Sequence, residues 1–139
     1  MTTQLYCITL WQPWASWIAL GWKTIESRTH AHFAMLENRY VGIHAGLRWD
    51  KDAIGLASEF LTLEQQHATE ELRAIRGAIV AHAHVRGHRQ LHAIDSEAAL
   101  IDCTTRKRYG LLLDDVTPLV KPIPYKGAQG IWTATVDLR

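Results

Sequence analysis

The sequence predicts an α+β fold, a small, partly open β-barrel with packed helices. Three observations carry this. Short β-friendly runs outnumber long helical ones, strands and helices do not alternate in a regular βαβ rhythm, and the chain closes on two or three strands. With 139 residues, 47% of them apolar, the chain has the size of one domain (1–139) and can bury a core without metal or disulfide support.

The elements follow in order. Leu5 to Leu10 reads as the first strand. Pro13 suits the first turn of a helix, Trp14, Trp17 and Ile18 share one helical face, and Gly21 ends the helix in a left-handed conformation, so the helix spans about Pro13 to Leu20. Thr24 to Arg28 is a strand with Thr24, Glu26 and Arg28 on one face. Thr29 to Asn38 reads as a loop and Tyr40 to Ala45 as a strand. Asp50 is placed to cap a helix to about Phe60, and Thr62 with Gln65 forms a capping box for another helix to about Ile75. After Gly77, Ala78 to Val85 is an apolar strand, Arg86 to Ala93 a polar loop or edge strand, and Asp95 or Ser96 the cap of a short helix toward Leu100. Tyr109 to Leu113 is a strand, Pro118, Pro122 and Pro124 punctuate an extended segment, and Gly130 to Val136 is the last strand.

Charge and cysteines narrow the function classes. With 15 basic and 14 acidic residues the chain lacks the excess of a strongly basic nucleic-acid binder, so any anion site must come from local placement. Cys7 and Cys103 make no CxxC pair, and no apolar stretch is long enough to span a bilayer, so the expectation is a cytoplasmic protein without a membrane partner. There is no GxSxG elbow, P-loop or dinucleotide fingerprint, and no cofactor is expected. His82 and His84 share a strand face and would need His44 or His88 to complete a metal site, but an HxH pair alone is weak and no metal is expected.

The densest chemistry lies in Leu10-Trp11-Gln12-Pro13-Trp14-Ala15-Ser16 and Lys23-Thr24-Ile25-Glu26-Ser27-Arg28. A strand running into a helix start leaves free N–H groups around Trp14 to Ser16, which favours an anion. Ser16 adds a hydroxyl, Gln12 an amide suited to a base edge, and Trp14 either a flat face for stacking or a core side chain. Lys23 is placed to reach a phosphate or to act as a base if burial lowers its pKa. Glu26 and Arg28 either pair with each other or jointly read a ligand. His44 is either a cleft residue or a satisfied histidine inside the barrel. Arg86, His88 and Arg89 form one cationic cluster and Arg106, Lys107 and Arg108 another, each a solvated loop or a phosphate-steering patch.

These two motifs, with Gly42-Ile43-His44-Ala45, Gly77-Ala78-Ile79-Val80 and the closing Ile123-Pro124-Tyr125-Lys126-Gly127 through Gly130-Ile131-Trp132, resemble the ASCH (activating signal cointegrator homology) domain over nearly the whole chain. The resemblance implies a PUA-like β-barrel with a cleft beside the first helix and a link to RNA binding. It also implies, for one subgroup, an amidohydrolase that removes acetyl from acetylcytidine with a Lys, a Thr and a Glu. The lysine matches Lys23, but the threonine position holds Glu26.

The leading expectation is therefore an RNA- or nucleotide-binding cleft of Gln12, Trp14, Ser16, Lys23, Glu26 and Arg28, walled by His44 and Lys126. The second is an amidohydrolase acting on an acylated nucleoside, with Lys23 activating the nucleophile or water and Glu26 or Glu97 handling protons. The third is an adaptor that binds protein partners through exposed aromatics. The segment Trp49 to Ile75 either covers the cleft as a lid or packs outside it.

Overall fold

The computed structural model describes residues 1–138. Six strands form one sheet: β1 (Thr3–Gln12), β2 (Ile25–Arg28), β3 (Tyr40–Trp49), β4 (Ala78–Gln90), β5 (Tyr109–Pro124) and β6 (Trp132–Val136). Their order across the sheet is β2-β5-β4-β3-β1-β6, with β1 and β3 parallel and every other neighbouring pair antiparallel. The sheet is not closed, since β2 and β6 are its edges. It nevertheless curls: three strands separate β2 from β1, yet Arg28 Nη2 of β2 donates to the Thr9 carbonyl of β1 at 3.4 Å. The gap between β1 and β2 is thus the opening of an incomplete barrel.

The core follows strand alternation. Ile8, Leu10, Val41, Ile43, Val80, Ala83, Leu111 and Leu113 pack together, and Ala15 and Ile18 of α1 (Trp14–Ala19) close over them. Gly21, at φ +81°, ends α1 as expected: Trp22 N–H donates to Trp17 O and Gly21 N–H to Ile18 O, the paired bonds of a Schellman stop. That stop swings the chain so that Lys23 follows directly behind the helix.

The segment between β3 and β4 holds α2 (Ala53–Ala57), α3 (Leu63–Thr69) and a 3-10 turn, Glu70–Ala74. Thr62 and Gln65 make the capping box, with side chain-to-backbone bonds of 3.0 and 2.9 Å. Asp50 does not cap α2, which begins after Asp52; its carboxylate accepts from Trp14 Nε1 at 2.8 Å instead. Ala53, Ala57 and Leu61 pack on Trp17, and Trp17 Nε1 donates to Thr69 Oγ1 at 3.1 Å, so this segment covers the outer side of α1.

Two strands run further than their local sequence suggests. β4 continues through Arg86–Gln90 because β5 pairs with it there (His88 opposite Leu111, Arg89 opposite Gly110); β3 pairing ends at His84, so this run is the edge strand of the two readings the sequence allows. β5 continues through three prolines because β2 pairs only with its first residues, Tyr109 to Leu112. Beyond them β5 has β4 alone as a partner, and a proline without an N–H is tolerated on such an edge. After β4, α4 (Ser96–Ala99) follows a turn in which Asp95 accepts from His92 N–H at 2.8 Å and from both Arg89 Nη atoms at 2.8 Å. Among the described residues no helix is long and apolar enough to cross a membrane.

Candidate functional site

The helix start comes first because the sequence places an anion there. Gln12, 2% exposed, ends β1 and folds its amide back over α1. Its Nε2 donates to Ser16 Oγ at 2.6 Å and to Ile75 O at 2.8 Å, and its Oε1 accepts from Ser16 N–H at 3.0 Å. One of the donors expected to face an anion, the Ser16 N–H, is thus satisfied by Gln12. Gln12 and Ser16 hold α1 to the end of the 3-10 turn and line neither of the two chambers between and beside β1 and β2.

The smaller chamber, about 310 Å³, opens between β1 and β2 and is lined by Trp14, Lys23, Glu26, Arg28, Asp50 and Arg108 among others. Lys23 is only 1% exposed. Its Nζ donates to Ala99 O at 2.7 Å, lies 3.6 Å from Glu26 Oε1, and sits 5.0 Å from the centre of the Trp14 ring. Burial pushes the Lys23 pKa down, and the neighbouring Glu26 carboxylate partly restores it. The other Glu26 oxygen is 2.9 Å from Arg28 Nε. That contact is an ion pair without hydrogen-bond alignment, and Arg28 Nε and Arg108 Nε are both buried nitrogens with no hydrogen-bond acceptor among the described residues. The Arg28 guanidinium rests over Phe33, 5.0 Å from the ring centre. Glu26 and Arg28, on one strand face as alternation requires, thus join Lys23 in a single charged network. Trp14 is a fixed wall, tied to Asp50, edge-on to Trp17 at 4.9 Å and covered by Lys23.

The larger chamber, about 1170 Å³, shares Thr9, Trp11 and Arg28 with the smaller one. Its far wall is the segment Tyr125–Ile131, and Lys126 lines it, exposed. His44, 2% exposed, pins that wall. A carbonyl only accepts, so the 2.7 Å contact from His44 Nε2 to Tyr125 O places the hydrogen on Nε2. Nδ1 then accepts from Thr9 Oγ1 at 3.2 Å, and Thr9 Oγ1 accepts from Trp132 Nε1 at 3.1 Å. Burial lowers the His44 pKa, which favours this neutral form. Gly127 lies so close that a Cβ there would meet His44 Cε1 at 2.6 Å and Thr9 Oγ1 at 2.7 Å. His30 and His32, stacked at 4.3 Å, form another part of the lining. Among the described residues, Arg28, Arg48 and Lys126 line this chamber and no carboxylate does.

Sequence reasoning missed two lining residues, Trp11 and Arg48. Trp11 is 48% exposed at the junction of the chambers, with Arg48 4.9 Å from its ring centre. Its signal was strand parity with Thr9, since β1 runs two residues past Leu10. Arg108, in the sequence part of a solvated loop or phosphate-steering patch, lines the smaller chamber. Glu97 is exposed on α4 and lines a separate depression with Glu59 and Asp102, away from Lys23. His84 is bonded through Nδ1 to Asp114 at 2.8 Å, and among the described residues no group of three or more His, Cys, Asp or Glu is arranged to hold a metal ion.

No family model matches the chain, and no curated protein does. The fold is found among solved structures. The crystal structure of ASCH from Zymomonas mobilis is 18% identical with a TM-score of 0.53, covering 85% of this chain and 71% of that one. Two point variants of the same protein, one with tyrosine replaced by phenylalanine and one with serine replaced by alanine, align with TM-scores of 0.52. At this identity the likeness is one of fold: the chain shares the fold of the Zymomonas mobilis ASCH structure.

Proposed function

We propose that this ASCH-like chain binds RNA or a nucleotide in the cleft between β1 and β2. The observation that carries this is the joining of two unlike chambers at Thr9, Trp11 and Arg28. In the smaller one, Lys23 and Arg28 donors stand on either side of the Glu26 carboxylate, a pattern suited to the donors and acceptors of a base or ribose. In the larger one, cations without a lining carboxylate suit phosphate. Trp11, exposed between them, offers the stacking face first sought in Trp14. The test is binding of a short single-stranded RNA by wild type, Arg28→Ala and Lys23→Met. Loss of Arg28 is expected to cost about 1–3 kcal/mol of binding, roughly fivefold to more than a hundredfold in Kd. Equal affinity in all three proteins would overturn the assignment.

A second reading, an amidohydrolase acting on an acylated nucleoside, is favoured by one feature: a buried amine with lowered proton affinity facing a chamber. Deprotonated, Lys23 would take a proton from a nucleophile, with Glu26 3.6 Å away as its exchange partner. Glu26 stands where the subgroup's threonine is implied, so this reading lacks the hydroxyl. Release of acetyl from acetylcytidine by wild type but not by Lys23→Met supports it; no release by wild type at high enzyme concentration rejects it for that substrate.

A further inference from the structure

Beyond the two chambers lies a third depression. It measures about 210 Å³ and is lined by Gln12, Leu47, Arg48, Trp49, Arg73 and Arg76. Leu47 and Arg48 also line the larger chamber, so the three spaces follow one another without a break in their walls. Among the described residues, carboxylates line only the inner end, where Glu26 and Asp50 face the smaller chamber, and none lines the larger chamber or the groove.

From this series we infer that a single strand of nucleic acid leaves the cleft along the ends of β1 and β3, passing over two arginine–tryptophan pairs into the groove at Arg76. This deepens the nucleotide reading and rests on it. Arg48 lies 4.9 Å from the Trp11 ring centre and Arg73 lies 4.2 Å from that of Trp49. Such pairs present both a flat face and a positive charge, the two features that hold unstacked bases and their backbone without regard to sequence. Glu70 bonds Arg73 Nε at 2.6 Å, but Arg48 and Arg76 have no carboxylate partner among the described residues, so their charge is available to phosphate. Size argues the same way. The larger chamber alone exceeds the roughly 300–1,000 Å³ of a typical small-molecule site, and a lone nucleotide would leave the groove and its arginines unused. A duplex, whose bases are already stacked, cannot use the tryptophan faces.

The experiment compares uridine monophosphate with oligouridines of four, eight and twelve nucleotides, across a salt series, in wild type and in Arg73→Ala/Arg76→Ala. The expected result is at least tenfold tighter binding of the 8-mer than of the monophosphate. The double variant should narrow that ratio by at least tenfold and lower the slope of log Kd against log salt by about 0.7, the loss of the Arg76 phosphate contact on a single strand, since Glu70 already neutralises Arg73. If the monophosphate binds and length adds nothing, or if the variant keeps the wild-type ratio and slope, the track is wrong while the cleft reading stands. If neither monophosphate nor oligomers bind, both fall. Equal binding of a duplex or of polyglutamate of matched charge would also overturn the single-strand track, marking a surface for polyanions in general.

Discussion

Replacing Glu26 by glutamine probes the network on which the cleft is built. The carboxylate lies between two cations, 3.6 Å from Lys23 Nζ and 2.9 Å from Arg28 Nε. Glutamine keeps the shape and one carbonyl but removes the charge. Lys23 is then left with Ala99 O as its acceptor, inside a nearly dry pocket, facing an uncompensated Arg28. Breaking a buried ion pair by removing one partner costs about 3–5 kcal/mol; with the Arg28 side chain 29% exposed the lower end applies, about 3 kcal/mol. For a domain of this size that is a fall in Tm of roughly 10 °C. Lys23→Met is the opposite case. It removes the cation that burial disfavours and leaves the Glu26–Arg28 pair intact, so its cost is expected to be about 1 kcal/mol or less. Urea unfolding of both variants reads the difference. A Lys23→Met variant destabilised as much as Glu26→Gln would refute the view that Glu26 is the hub, as would a Glu26→Gln loss below about 1 kcal/mol.

Three further outcomes follow from the geometry. His44 is held neutral in the folded protein, so the unfolded chain takes up its proton first; stability is full above the ordinary histidine pKa and declines as pH falls through it toward the lowered folded value. His44→Gln should flatten that part of a pH–stability curve, and an unchanged slope would contradict the assignment. Asp95 has the same sign at lower pH: Arg89 and the His92 N–H hold its pKa down to about 2, so its contribution of about 2 kcal/mol is present above the ordinary carboxylate pKa and is lost as pH falls toward the folded value. Asp95→Asn should remove that amount at pH 7 in denaturant titrations. Gly127→Ala places a methyl within 2.6–2.7 Å of His44 and Thr9 and is expected to cost about 1–3 kcal/mol and to shift Trp132 fluorescence, whereas Gly130→Ala meets no neighbouring atom and is strained only by its φ of +72°.

How much of this was legible depends on whether a feature is local. The stop at Gly21, the Thr62–Gln65 capping box and the shared face of Glu26 and Arg28 all follow from spacing of four residues or fewer, and all are present. Gln12 is legible only in part, because an amide beside a helix start looks the same whether its partner is a ligand or a carbonyl 63 residues away; it bonds Ile75 O and lines the outer groove, not the two chambers. The larger chamber was only partly visible. His44 and Lys126 were named, but the strand curl that sets β1 opposite β2, and the carbonyl of Tyr125 that receives His44, are long-range pairings with no local pattern. Arg86–Gln90 leaves loop and edge strand open, and the prolines of β5 mislead, for a related reason: whether a polar or proline-bearing run is strand depends on which neighbour lies on each side.

The central claim is that a nucleotide-bearing ligand enters between β1 and β2. Its most direct test is to titrate the isotopically labelled protein with an 8-nucleotide single-stranded RNA and follow backbone amide shifts. The account predicts the largest saturable shifts in Thr9–Trp11 and Glu26–Arg28, with a second group at Arg48–Trp49. Shifts confined to the outer face around Tyr40, His84 and Asp114, or none at millimolar RNA, would contradict it.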